Sequence, residues 1–255
     1  MKKAVIIPMG ASPAVATEIV RYLEPEGLTD VILLPTRDKT VLEGTRLAEA
    51  ALRVRYPSIR VHLKIIPVLD VTDDKTVVEV MKTAASAICK EKFDYHVDTL
   101  YLSISGGRKV MSVIAAIIGF AFGVTEIYHV IHGEIKNYNP SQDTIRSLIE
   151  DFGEENIQKR ISLYIEHMDV LNELLFPPGE KLSYVKIPVL PYPQEYISLL
   201  KRILTTSGAY FEEEKIDPIL LEMLRRANIV EYNDYRVWPT DLGLELGRML
   251  RCEYR

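Results

Sequence analysis

Apolar residues fall in short, almost unbroken runs through the first half of the chain, and stretches with helical spacing lie between them. The runs Lys3–Met9, Asp30–Pro35, Arg60–Val68, Thr99–Ile104 and Glu126–His132 are rich in Val, Ile and Leu. Continuous rather than alternating apolarity predicts parallel strands covered on both faces. The intervening segments Pro13–Leu23, Thr40–Tyr56, Asp73–Glu91 and Arg108–Gly123 read as helices. Strand and helix in strict alternation predict an α/β fold, a doubly wound, mainly parallel, Rossmann-like sheet. Ligands of such sheets bind beyond the carboxyl ends of the strands, where strand order reverses.

Past this repeat the pattern changes. His132-Gly-Glu-Ile135 predicts a tight turn into one further strand. Glu154–Phe176 reads as one long amphipathic helix with Ile157, Ile161, Tyr164, Ile165, Met168, Leu171 and Leu175 on its apolar face. The run from Lys186 to Pro193 carries three prolines, which exclude a helix and suit an edge strand or linker. The tail then reads helix (Glu195–Thr205), helix (Asp217–Ala227), hairpin (Val230–Trp238) and helix (Thr240–Leu250). Asn233-Asp234 turns the hairpin and Thr240 caps the last helix. This order resembles a small winged helix-turn-helix domain, so residues 1–193 and 194–255 are expected as two domains.

The chain has 255 residues, enough for one large α/β domain and a small one. A net charge of −5 argues against wholesale coating of DNA or RNA, so a nucleic-acid ligand should be small and held in a local basic pocket. No leading apolar segment and no membrane-length run occur; Val110–Val124 is very apolar but short, and reads as a core helix. Cys89 and Cys252 lie far apart without a CxxC, and are expected as thiols in a reducing compartment, the cytoplasm. No membrane partner is expected.

Two loops carry the chemistry. The stretch Tyr101-Leu-Ser-Ile-Ser-Gly-Gly-Arg-Lys109 runs from a buried strand through Ser105-Gly106-Gly107 into a helix. It places Arg108 and Lys109 in the first helical turn, where each opposes the helix dipole at a cost of roughly 0.3–1 kcal/mol. A glycine turn, free backbone N–H groups and two cations at one point suit a bound anion, with phosphate the foremost candidate. The other loop, Pro8-Met-Gly10-Ala11-Ser12-Pro13, follows the first strand. Ser12 is expected as the helix N-cap with Pro13 first in the helix, which also turns Ser12 toward the ligand crevice. The polar turn Pro35-Thr36-Arg37-Asp38-Lys39 borders the same edge.

Other sites are excluded or explained locally. There is no G-x-x-x-x-G-K-[ST], and the first loop is not G-x-G-x-x-G, which weakens a dinucleotide reading. Asp70, Asp73 and Asp74 look like a metal cluster, but a helix cap at Thr72 or Asp73 accounts for most of it. His62, His96, His129, His132 and His167 lack ligand spacing such as H-E-x-x-H, so no metal and no cofactor are expected. No Ser/His/Asp set is supported by spacing.

The Gly10-Ala11-Ser12-Pro13 loop, the Ser103-Ile-Ser-Gly-Gly-Arg-Lys109 loop and the winged-helix-like tail together resemble a CRISPR-associated Rossmann-fold (CARF) protein, most like the stand-alone ring nucleases that degrade cyclic tetra-adenylate. The resemblance implies a homodimer with the ring across its two-fold axis. It implies Ser12, Arg108 and Lys109 as catalytic residues, and Gly10, Ala11, Thr36, Ser105, Gly106 and Gly107 as ligand contacts. It implies metal-free cleavage, in which a ribose 2′-OH attacks its adjacent phosphorus and leaves linear di-adenylate with a 2′,3′-cyclic phosphate. The alternative is a CARF–winged-helix transcription regulator that binds the ring and DNA without cutting. Against DNA as partner stands the helix in the recognition position, Asp217–Arg226, which is mostly apolar and acidic; from Glu195 onward nine Lys/Arg face eleven Asp/Glu. A ring-activated ribonuclease ranks third, because its R-x-x-x-x-H pattern is missing and the tail has no histidine.

Overall fold

The computed structural model describes residues 1–132, 142–189, 193–212 and 214–254. The alternating half forms β1 (Lys3–Pro8), α1 (Ala14–Leu23), β2 (Asp30–Leu34), α2 (Lys39–Arg55), β3 (Arg60–Leu63), α3 (Asp74–Cys89), β4 (Thr99–Ser103), α4 (Lys109–Phe122) and β5 (Glu126–His132). Then come α5 (Gln142–Glu150), α6 (Ile157–Glu166), α7 (Met168–Leu175) and β6 (Leu182–Ile187). The large sheet has order β3-β2-β1-β4-β5-β6; its first five strands are parallel, and β6 closes the edge antiparallel to β5. The doubly wound, mainly parallel reading is therefore correct, and the edge strand belongs to 182–187, ahead of the prolines. The turn expected after His132 lies outside the described residues.

Helices cover both sheet faces, as continuous apolar strands require. Val5, Ile7, Val31 and Leu33 pack beneath α1 and α2. Ala4, Ile6, Ile32, Leu100 and Leu102 pack beneath α3 and α4. A further layer, Phe152, Tyr164, Leu171 and Leu175, lies on the outer side of α2 against Leu47, Ala50 and Ala51.

Two sequence expectations change here, the single helix over 154–176 and the length of the strand from Arg60, while the helix cap expected at Thr72 or Asp73 is found at Asp73. The long helix over 154–176 is two helices, because His167 leaves the helical region (φ −112°, ψ 20°). The break re-aims the apolar stripe: Tyr164, Leu171 and Leu175 are buried, whereas Ile165 and Met168 reach solvent. The α3 cap is Asp73, in a reciprocal capping box with Thr76. The strand over 60–68 leaves the ladder after Leu63, yet its backbone still bonds alongside β2 (Lys64 N to Leu33 O, 2.9 Å; Ile66 N to Pro35 O, 2.8 Å). Pro67 has no N–H to continue it.

The tail folds as α8 (Gln194–Ile203), β7 (Ala209–Tyr210), α9 (Pro218–Arg226), β8 (Val230–Tyr232), β9 (Arg236–Pro239) and α10 (Asp241–Leu250), with a small antiparallel sheet β7-β9-β8. It has its own apolar cluster, including Ile203, Leu224, Val230 and Val237. Thr240 caps α10 through Gly243 N, as expected. The α10 segment lies on α3: Lys82 Nζ meets Glu245 Oε2 at 2.8 Å, and the Ser86 hydroxyl donates to the Tyr254 carbonyl. There the two cysteines meet as a disulfide, Cys89–Cys252, with Cα atoms 5.8 Å apart. The free-thiol reading is thereby corrected; the pairing spans 163 residues and follows from the docking of α10, which no local spacing signals. No helix of the described residues is long and apolar enough to cross a membrane.

Candidate ligand site at the strand switch point

From β1 the chain crosses to β2, and from β4 to β5, in opposite directions across the sheet. The point of reversal, beyond which ligands of such sheets bind, therefore lies at the carboxyl ends of β1 and β4. The two loops singled out by sequence are the ones that follow those strands. They meet backbone against backbone: a Cβ added to Gly106 would overlap the Pro8 carbonyl oxygen and sit 2.9 Å from Val15 Cγ2. Gly10 lies against Gly107 from the other side. Gly107 has φ +77°, a left-handed conformation that favours glycine. The glycines are thus required by the approach of the loops as well as by the turn.

Loop four is braced from behind. Ser105 Oγ accepts from Val130 N at 2.6 Å, which ties the loop to β5. Ser112 Oγ donates to the Gly106 carbonyl at 2.7 Å, which ties it to α4. Ser105 is therefore a bracing residue in this geometry. Arg108 is the N-cap of α4 and offers no side-chain cap; Lys109 is its first helical residue. Both side chains are exposed. They stand beside the unpaired N–H groups and positive dipole end of α4, the arrangement that attracts an anion. Among the described residues, Lys109 has no side-chain hydrogen bond or ion pair.

In loop one the expected serine cap is absent. Pro13 is the N-cap of α1 and no side chain closes that helix end. Ser12 is exposed together with Ala11, so its hydroxyl is open to solvent beyond the end of β1. The loop leans on α2, where a Cβ on Gly44 would come within 3.3 Å of the Ala11 carbonyl. Thr36 is only 3% exposed and its hydroxyl accepts from Asp38 N at 3.4 Å, which places it beneath the surface. Its neighbours Arg37 and Lys39 are the exposed groups of that turn.

The sequence missed one neighbour of these loops. Asp70, noted there only as part of an acidic cluster beside a helix cap, forms an ion pair with Arg108 across 38 residues of chain. Among the described residues no group of three or more His, Cys, Asp or Glu is arranged to hold a metal ion.

The model of the CRISPR-associated protein NE0113 family matches residues 12–205, most of the chain. No curated protein matches. Among solved structures, Enterococcus italicus Csm6 bound to cyclic hexa-2′-fluoro-hexa-dAMP aligns with TM-score 0.49 and 13% identity, covering 80% of this chain and 46% of its own. Can2 from Sulfobacillus thermosulfidooxidans, in complex with cyclic tetra-adenylate, aligns at 0.36 and 13%, covering 98% and 63%. UDP-GlcNAc 2-epimerase from Neisseria meningitidis, bound to UDP-GlcNAc, aligns at 0.33 and 14%, covering 91% and 56%. The chain therefore spans about half to three fifths of the length of these proteins. On the family match, which takes in the end of loop one from Ser12 and the whole of loop four, the chain belongs to the CRISPR-associated NE0113 family, a CARF-type protein.

Proposed function

We propose that this protein is a homodimeric ring nuclease that binds cyclic tetra-adenylate and cleaves it without a metal, switching off type III CRISPR signalling. The observation that carries the reading is the meeting of the two loops at the switch point, with Arg108 and Lys109 exposed at the head of α4. Membership of a CRISPR-associated family supplies the context for the ligand.

A ring of four phosphates suits a two-fold protein, because two identical half-sites can each take half of it. The exposed side of α4 supports such a dimer. Val110, Val113 and Ile117 are 48%, 59% and 50% exposed and, at spacings of three and four, form one stripe. Ile131 and Val185, on the same face of the β5–β6 pair, are exposed too. α4 is thus a core helix on one side only, and a second copy of this chain is the proposed cover for the other.

The chemistry follows from the ligand's own atoms. The 2′-oxygen attacks the adjacent phosphorus, the new 2′-O–P bond forms and the P–O5′ bond breaks. The 2′-OH proton is lost and the 5′-oxygen takes one up. Two such cuts give linear di-adenylate with 2′,3′-cyclic phosphate ends. The site must hold the three atoms in line and stabilise the charge gathering on the phosphoryl oxygens. Arg108, Lys109 and the α4 N-terminus suit the second task, and Ser12 suits holding the 2′-OH or a phosphate. Residues 194–255 are proposed as a winged-helix-like unit.

The tail's helix–helix–hairpin–helix order favours one second reading, a ring-binding transcription regulator. Incubation with cyclic tetra-adenylate in EDTA separates the two. Di-adenylate product is expected; tight binding of a ring that stays intact, with a ring-dependent gel shift of promoter DNA, would establish the regulator instead.

A further inference from the structure

Arg108 has two suitors. Asp70 lies in the connection from β3 to α3, and its side chain is held at both oxygens: Oδ1 accepts from Val71 N at 2.7 Å, and Oδ2 accepts from Arg108 Nη1. The pair is open to solvent, with Arg108 57% and Asp70 29% exposed. It engages one nitrogen of the guanidinium, although an arginine offers five N–H donors in a fork that matches two acceptor oxygens at once. With Oδ1 turned to Val71 N, the carboxylate meets the fork through Oδ2 alone and leaves its other donors open. A phosphate at the head of α4 can take two of them at once.

We propose that Asp70 is an internal counter-anion of the ligand site: its carboxylate and a phosphate of the ring compete for Arg108. The inference rests on the ring-binding reading above. Exchange is easy because an exposed ion pair of this kind changes an equilibrium constant by a factor of only about 1.4 to 5. It also leaves the connection in place. Upstream, Arg37 N bonds Val68 O at 2.7 Å and Ile66 N bonds Pro35 O at 2.8 Å. Downstream, Asp73 and Thr76 close their capping box, and Val71 packs against the core under α3. Releasing Asp70 from Arg108 therefore requires no unfolding. Asp70 sets the affinity of the site by holding the cation that the ligand must win.

The test is a double-mutant cycle on the full-length protein, using all-2′-deoxy cyclic tetra-adenylate, which lacks the attacking hydroxyl and cannot be cut. Wild type, Asp70→Asn, Arg108→Ala and the double variant are titrated calorimetrically in EDTA at low salt. Asp70→Asn is expected to bind about two to five times more tightly than wild type. In the Arg108→Ala background the same substitution is expected to change nothing. Equal or weaker binding by Asp70→Asn overturns the exchange, and so does the same gain without Arg108, which would reduce Asp70 to general repulsion. If the wild-type protein fails to bind the ring, the functional reading and the exchange fall together. Binding by wild type with no gain in Asp70→Asn removes the exchange alone.

Discussion

Gly106→Ala tests whether the two crevice loops are held together as tightly as their backbone contact implies. The added methyl would overlap the Pro8 carbonyl oxygen and lie 2.9 Å from Val15 Cγ2. Pro8 is the last residue of β1 and sits in register with Leu34 of β2, so its carbonyl has little room to retreat. Forcing one methyl into such a contact costs about 1–3 kcal/mol. For a chain of this size each kcal/mol lowers Tm by roughly 2–4 °C, so a fall of about 2–12 °C is expected in differential scanning calorimetry. The neighbouring Gly10→Ala is the internal control. Its methyl would stand 3.1 Å from Gly107 N, a contact that a small shift relieves, so a smaller fall is expected. Gly106→Ala should also weaken ring binding, because relief comes by pushing loop four away from loop one. A Gly106→Ala protein with wild-type Tm and wild-type affinity would refute the backbone-on-backbone account of the site.

Lys109→Ala should abolish most ring cleavage while leaving Tm unchanged or slightly higher, since a cation at the head of a helix costs about 0.3–1 kcal/mol; a lower Tm with normal turnover would contradict this. Val113→Asp places a charge in the exposed α4 stripe and should give a folded monomer with lost cleavage, read by sedimentation velocity and circular dichroism; an unchanged dimer would exclude that stripe as the interface. Cys252→Ser, or reduction with a phosphine, should destabilise the protein by roughly 2–5 kcal/mol, because the disulfide closes a very long loop; equal melting of oxidised and reduced protein would show that the docked tail gains nothing from the bond. Burial, and then the charge of Asp30, raise the Glu91 carboxyl to about 7. The folded state thus retains a proton that the unfolded chain releases near 4.5, so this group's contribution to stability falls as pH rises from about 4.5 to 7 and is level above that. Glu91→Gln should remove that slope from a plot of Tm against pH, and identical slopes for the two proteins would refute the assignment.

The repeating half of the fold was legible because each strand is apolar on both faces, a pattern that only a covered parallel sheet satisfies. Its element ends fall within a residue or two of expectation wherever a Gly, Pro or cap residue marks them, as at Asp73 and Gly123. Where tertiary contact decides, the reading fails. The periodicity through 154–176 runs on past His167, yet the two halves of that stretch pack on different helices, α6 on α2 and α7 on α1. The helix Gln142–Glu150 carried no signal strong enough to be named. A cap serine was expected at Ser12 because its residue type and the following proline fit the rule, but the chain enters α1 through Pro13 and leaves the hydroxyl free.

The same contrast separates the parts of the site. Glycine, serine and basic residues within a few positions of one strand end make the proposed anion site legible, since the role proposed for them lies in the local turn itself. Asp70 declares nothing, because a carboxylate four residues before the start of α3 reads as part of the acidic run around its cap. Its partner lies 38 residues away, and only the crossing of the β3–α3 connection to the head of α4 brings the two together. Cys89 and Cys252 are hidden in the same manner, by the docking of α10 on α3. Cations that oppose a helix dipole therefore pose a question a sequence can raise without answering: what offsets them. Here the answer is divided. Arg108 has a carboxylate within the chain, and Lys109 has none among the described residues. Of the two adjacent cations, Lys109 is thus the one whose cost only the proposed ligand would offset, and its substitution should separate binding from stability more cleanly than that of Arg108.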